Sequence, residues 1–202
     1  MVLCVTGPMA AGKNCAADIL ERRGLATVDA DVLAHRAVED AKEQILEAFK
    51  DRARSRQLEL LNADGTVNRQ ALGKLVFSDR ELLARQEAIV YPRINFLLDS
   101  FLAEHRGQDV AINATVLYKV PAMGKVDFVL YIDAPAFIRF FRVRKRNGMA
   151  AAQIIDRFKS QKHLFSKYKA VNADTKKVWN IGTRKGLERK IDRFLAECRS
   201  RG

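Results

Sequence analysis

The chain has 202 residues, 48% of them hydrophobic and 30% charged, which is enough to bury a sizeable core and leaves no apolar run of bilayer length. Lys and Arg number 36 against 24 acidic residues, a formal net charge of +12, so the surface field favours anionic partners. Cys4, Cys15 and Cys198 are odd in number, far apart and without ligand spacing, which argues against a disulfide framework or a zinc site.

The first segment, Met1-Val2-Leu3-Cys4-Val5-Thr6, has no basic leader and is not read as a targeting peptide, so a soluble, cytoplasmic protein is expected. Residues 2 to 6 read as a strand that runs into Gly7-Pro8-Met9-Ala10-Ala11-Gly12-Lys13 and then into an amphipathic helix through Ala16, Ile19 and Leu20. A second strand, 26 to 31, ends in Val28-Asp29-Ala30-Asp31. Residues 38 to 106 are almost wholly helical, broken by a turn at Asn62-Ala63-Asp64-Gly65. Strands follow at 109 to 114 and 127 to 133, then a basic helical stretch over 136 to 170 containing Arg139, Arg142, Arg144, Lys145 and Arg146. A weaker strand at 177 to 181 precedes a final helix carrying Leu187, Ile191, Phe194, Leu195 and Cys198. Strands alternating with helices predict an α/β domain with a mostly parallel sheet, whose site is built at the carboxyl ends of the strands.

The spacing Gly7-x-x-x-x-Gly12-Lys13 suits a phosphate loop. Glycines let the backbone turn tightly and aim successive N–H groups at phosphate oxygens, Lys13 adds charge, and the following helix contributes its positive end. Ala10 and Ala11 are small enough for close approach. Asn14 stands where Ser or Thr usually offers a hydroxyl to Mg2+, and its amide oxygen is still a hard neutral ligand. Asp29 and Asp31 supply carboxylates fit to take a proton from an attacking hydroxyl or to support a metal; for Asp29 capping is an equal reading, and Asp31 carries the greater functional weight. Arg142 and Arg146 lie one helical turn apart and share a face suited to clamping phosphate oxygens. His35, His105 and His163 show no spacing of a metal site or triad.

Together these motifs resemble the dephospho-CoA kinase family. The resemblance runs from Val5-Thr6-Gly7 to Lys13, through Val28-Asp29-Ala30-Asp31-Val32-Leu33-Ala34, Ala63-Asp64-Gly65-Thr66 with Arg69, and Tyr91-Pro92-Arg93-Ile94. It continues in Val129 to Pro135, Arg142, Arg146-Asn147-Gly148, Gln161 and Asn180-Ile181-Gly182-Thr183. The chain departs from the family pattern at Asn14, His35, Tyr91, Asn147 and the stretch Ala114 to Lys119, where Lys119 reverses a charge.

The resemblance implies a P-loop kinase-like three-layer fold with a five-stranded, mostly parallel sheet. It implies one domain, with core segments 1–37, 107–135 and 171–202, a helical substrate-binding region over 38–106 and a basic lid over 136–170. It further implies ATP-dependent phosphorylation of the ribose 3'-hydroxyl of dephospho-CoA, with ATP and Mg2+ required. The catalytic set would be Asp31, Lys13, Arg142 and Arg146. ATP would meet Gly7, Ala10, Ala11, Gly12, Lys13, Asn14, Cys15, Asn180 and Gly182, with Asn14 a weak metal ligand, and the acceptor would meet Asp31, Arg69, Tyr91 and Lys119. Two alternatives stand beside this reading: another P-loop small-molecule kinase, permitted by the altered 114–119 stretch, and a basic nucleotide- or nucleic-acid-binding relative with weakened catalysis. No base-reading motif is visible, and neither nucleic acid nor a membrane is expected as a partner.

Overall fold

The computed structural model describes residues 1–201, apart from the side chain of Asn147, so the lid reading of that side chain lies outside the described residues. The chain forms two compact units, Met1–Asp29 with Leu102–Gly202, and Ala30–Phe101.

The first unit holds strands β1 (Val2–Thr6), β2 (Ala26–Asp29), β3 (Val110–Asn113), β4 (Phe128–Asp133) and β5 (Asp174–Trp179). They form one sheet in the order β2-β3-β1-β4-β5, and every pairing is parallel. Strands covered on both faces need apolar side chains on both, and the central ones have them: Leu3, Cys4 and Val5 of β1 and Val129, Leu130 and Ile132 of β4 are all wholly buried. Helices α1 (Lys13–Arg22) and α9 (Arg184–Arg199) pack with one face. Their buried stripes, Ala16, Ile19 and Leu20 in one and Leu187, Ile191, Phe194, Leu195 and Cys198 in the other, recur every three or four residues and join Leu3, Val5, Leu130, Ile132 and Val178 in a single core. Thr183 caps α9, its hydroxyl accepting from Gly186 N–H at 3.2 Å. On the other face Tyr131 of β4 meets Phe165 and Tyr168 edge-on, at ring-centre distances of 4.8 and 6.5 Å. Because all five strands run the same way, the loops leaving them all begin at one edge of the sheet.

The second unit consists of α2 (Ala30–Asp40), α3 (Lys42–Ser55), α4 (Arg69–Val76) and the greater part of α5 (Arg80–Glu104). The turn expected at 62 to 65 is present: Leu61 and Val67 form an antiparallel bridge, and Asp64 Oδ1 accepts from the N–H and hydroxyl of Thr66 at 2.9 and 2.6 Å. Ile45, Phe49, Leu72, Leu75 and Leu98 are buried. Pro92 sits inside α5 and leaves the helix one hydrogen bond short. The basic stretch of the first unit resolves into α6 (Ala136–Asn147), α7 (Ala151–Ser160) and α8 (Leu164–Lys169), with Gly148 ending α6 at φ 60°.

Two strand boundaries differ from the sequence reading. β2 stops at Asp29, and Asp31 falls in the first turn of α2, where a carboxylate complements the helix dipole. β5 runs from Asp174 to Trp179 rather than 177 to 181, in register with Phe128 to Asp133. As an edge strand it carries Thr175, Lys176 and Lys177, so hydropathy marks only its end. Leu130→Ala removes a fully buried side chain from the sheet centre, and urea denaturation should show a loss of about 2–5 kcal/mol.

Candidate functional site

The loop after β1 is shaped by what it cannot carry. Gly7 has φ 149° and Gly12 φ 106°, conformations that side-chain-bearing residues rarely adopt. A Cβ at Gly7 would run into the carbonyl of Ile132 in β4, and one at Gly12 would run into the Asn180 amide just past β5. Both glycines therefore mark places where the loop is pressed against its neighbours. Ala10, at φ 61°, takes the third tight turn.

The loop's carbonyls are held from behind. Asn180 Nδ2 donates to Ala11 O at 2.8 Å, while the Arg142 guanidinium donates to Ala10 O and Ala11 O, both at 3.3 Å, and to Asn180 O at 3.1 Å. Asn180 N–H in turn donates to Asp133 O at 2.7 Å. Two loop amides are already engaged, Met9 N–H donating to Gln161 Oε1 at 2.7 Å and Ala11 N–H to Pro8 O at 3.1 Å. Arg142 and Asn180, two candidates far apart in sequence, are thus brought onto the same few loop atoms.

Lys13 opens α1 and its ammonium donates to Thr115 Oγ1 at 2.7 Å. Thr115 is fixed through the buried Tyr168, whose hydroxyl donates to Thr115 O at 3.2 Å and accepts from Leu117 N–H at 2.9 Å. Burial drives the Tyr168 pKa upward and so keeps that hydroxyl protonated. Asn14, one residue on, is exposed, and its Oδ1 accepts from Asn113 Nδ2 at 3.2 Å. The same Nδ2 reaches Asp29 Oδ2 at 3.2 Å, so the end of β3 ties the first turn of α1 to the end of β2. A small cavity of about 140 Å³ is lined by Asn14, Asp18, Glu21, Thr27, Asp29 and Asn113, and its donors are hard oxygens. Among the described residues no group of three or more His, Cys, Asp or Glu could hold a metal ion.

The remaining candidates are more dispersed. Gly182 follows β5 at φ 101°, Cys15 lies half-buried in the first turn of α1, and Arg146 is exposed in the last turn of α6. Lys119 is exposed and ends a short 3-10 turn, Leu117–Lys119, after β3. Within the second unit, Asp31 is exposed in the first turn of α2, Arg69 opens α4 beside its Asn68 cap, and Tyr91 OH donates to Glu87 Oε1 at 2.8 Å. Sequence reasoning missed Asn113 and Thr115. Asn113 had a signal, being a polar residue closing the apolar run Val110-Ala111-Ile112 at the carboxyl end of a strand.

A second cavity, of about 920 Å³, lies at the amino ends of the strands among Met1, Asp109, Asp127, Asp174, Arg199 and Arg201. Its carboxylates are satisfied: Asp109 pairs with the Met1 amine and Arg199, both at 3.2 Å, Asp127 accepts from Val2 N–H at 2.7 Å, and Asp174 pairs with Arg201. It lies at the opposite end of the sheet from the glycine loop.

The dephospho-CoA kinase family model matches residues 1–176. The dephospho-CoA kinase of Treponema denticola is 34% identical over an alignment 206 positions long, covering 100% of this chain and 91% of that protein. Among solved structures, TT1252 from Thermus thermophilus has a TM-score of 0.80 at 29% identity and covers 98% of this chain and 97% of its own. A shikimate kinase from Bacteroides thetaiotaomicron shares the fold, with a TM-score of 0.52 at 15% identity over 97% of both chains.

Burial lifts the thiol of Cys4 to about 12 and that of Cys198 to about 11, whereas Cys15 is half-buried beside the loop. A maleimide probe at neutral pH should label Cys15 alone of the three cysteines in the native protein and all of them once it is unfolded, because only the thiolate reacts. Bound ADP should slow the Cys15 reaction, and peptide mapping by mass spectrometry reads both outcomes.

Proposed function

The chain belongs to the dephospho-CoA kinase family, and from that premise we propose how its residues divide the work of transferring a phosphoryl group from ATP to an alcohol. The reaction is the phosphorylation of the ribose 3'-hydroxyl of dephospho-CoA, the last step of coenzyme A biosynthesis. The observation that carries the assignment is the glycine loop itself, closed on Lys13 at the start of α1 and held against β4 and Asn180 at the two positions where a side chain cannot fit.

ATP binds with its phosphates along Gly7, Ala10, Ala11, Gly12 and Lys13, with Asn14 and Cys15 in the turn that follows. Lys13 balances phosphate charge from a position set by Thr115. Asn180 and Gly182 line the nucleoside end. The donor set at Asn14 Oδ1 and Asp29 Oδ2 suits Mg2+, which takes few protein ligands and keeps its other positions for water and substrate phosphates. Held there by Asn14 and Asp29, such an ion would supply positive charge beside the substrate phosphates. Asp31 accepts the proton of the 3'-hydroxyl as its oxygen bonds to the γ-phosphorus, and the bond from that phosphorus to the bridging oxygen breaks to release ADP. Arg146 offsets the negative charge spread over the transferring group, and Arg142, whose guanidinium holds Ala10 O and Ala11 O, adds its positive charge through the loop. Arg69, Tyr91 and Lys119 are assigned to the acceptor. Little covalent work falls to the protein, and positioning with fixed charge supplies most of the rate. A cytoplasmic location belongs to the same reading, supported by free cysteines and no disulfide among the described residues.

Asp31→Asn removes the proton acceptor while leaving shape almost unchanged. A coupled ADP-release assay should show turnover reduced by about 10²–10⁴ with ATP affinity within a few-fold of normal; turnover near normal overturns the role given to Asp31. Asn14→Ser restores a hydroxyl where the chain has an amide. Titrating Mg2+ in the same assay should give half-maximal rate at a several-fold lower concentration, and an unchanged Mg2+ dependence removes Asn14 from the metal's surroundings.

A further inference from the structure

Between the sheet and the helices α6 to α8 lies a cavity of about 440 Å³ that the phosphoryl-transfer reading does not use. Its wall includes Pro8 of the glycine loop, Gln161, and four cations, Arg139, Lys159, Lys162 and Lys177, against the single carboxylate of Asp133. Lys177 already pairs with Asp133 at 3.2 Å and lies over the Phe165 ring at 4.0 Å. Arg139 is stacked over the Phe158 ring at 4.2 Å, and its Nε donates to Ala134 O at 3.0 Å. Its Nη1, however, is buried and has no hydrogen-bond partner. Desolvation lowers the Arg139 pKa, which is the mark of a charge kept from water without a full set of acceptors.

Four cations around one carboxylate leave the cavity with a positive field that an anion would balance, and a guanidinium presents paired N–H groups to phosphate oxygens. We propose that this cavity is a second anion site, separate from the glycine loop, that takes a phosphate-class ligand on Arg139, Lys159 and Lys162. Because Lys159 and Lys162 flank Gln161, whose Oε1 holds the Met9 amide, an anion gathered there bears on the glycine loop from the lid side. Phe158 and Phe165 each carry a cation over one ring face, Arg139 and Lys177, so it is the cations around the rings that address the ligand, through its phosphoryl group.

The chain has one tryptophan, Trp179, and Lys177 Nζ lies 5.3 Å from its ring centre, which gives the cavity an intrinsic reporter. Full-length protein carrying Lys13→Met, which weakens the glycine loop's hold on phosphate, is titrated with inorganic pyrophosphate and separately with AMP while Trp179 fluorescence is followed. A saturable change is expected with pyrophosphate. A tenfold or greater gain in affinity for AMP identifies a phosphate ester of a larger metabolite as the preferred source, and equal or weaker AMP binding identifies the free anion. Adding Arg139→Gln should weaken binding at least tenfold. Lys159→Ala with Lys162→Ala, both on exposed positions that the fold does not need, should do the same with an unchanged thermal melt. The absence of a saturable signal overturns the proposal, as does binding that survives both sets of substitutions and responds only to salt.

Discussion

Two missing methyl groups set the geometry of the site. The glycine loop can lie against the end of β4 and against Asn180 only because Gly7 and Gly12 have no Cβ and can hold φ 149° and 106°. Close approach puts Ala10 O and Ala11 O within reach of Arg142 and Asn180, and so links the loop to α6 and to the turn after β5. A side chain at either glycine would push the loop off β4 or displace Asn180, and with it the first turn of α1 that carries Lys13 and Asn14. The parallel sheet makes this possible, since all its carboxyl ends share one edge and the five outgoing loops converge there.

Polar groups at that edge are organised by the residues that close β3. Asn113 is 4% exposed, and its Nδ2 holds Asn14 and Asp29 together. Thr115 receives Lys13, and the buried Tyr168 keeps Thr115 in place. Asn113 and Thr115 are neutral partners to the charged groups of Asp29 and Lys13, so they position those groups without neutralising them. A carboxylate in place of Thr115 would pair with Lys13 and compete with phosphate for the same ammonium.

Much of this architecture was legible from local chemistry. The glycine spacing between an apolar strand and an amphipathic helix could be read because strand, tight turn and helix each leave a separate mark on composition. The stripe from Leu187 to Cys198 could be read because helical period survives in one dimension. β5 was misplaced because an edge strand buries little, and Lys176 and Lys177 hide it from hydropathy. Asn113 and Thr115 were missed for a different reason: their meaning lies in which residues β2, α1 and α8 bring beside them, and such pairings between distant segments leave no spacing in the chain. Arg142 was picked out for its spacing with Arg146, but its attachment to Ala10, Ala11 and Asn180 depends on the loop's path and not on helical period.

That attachment changes what a basic residue on α6 can do. A lysine could supply equal charge at position 142, yet it could not donate to three carbonyls in a fixed plane while remaining cationic at any accessible pH. The carbonyl oxygens of Ala10 and Ala11 point their negative ends toward α6, and Arg142 cancels them there. Loop carbonyls left without a donor would turn negative dipoles toward an incoming polyphosphate. By fixing them during folding, Arg142 and Asn180 leave the loop's positive side already arranged, so less reorganisation remains to be done when phosphate binds. Asn14 does not take part in this arrangement: its amide oxygen is held by Asn113, whereas Arg142 and Asn180 engage the carbonyls of Ala10 and Ala11. The residue at this position therefore leaves the loop contacts of Arg142 and Asn180 as the rest of the fold builds them.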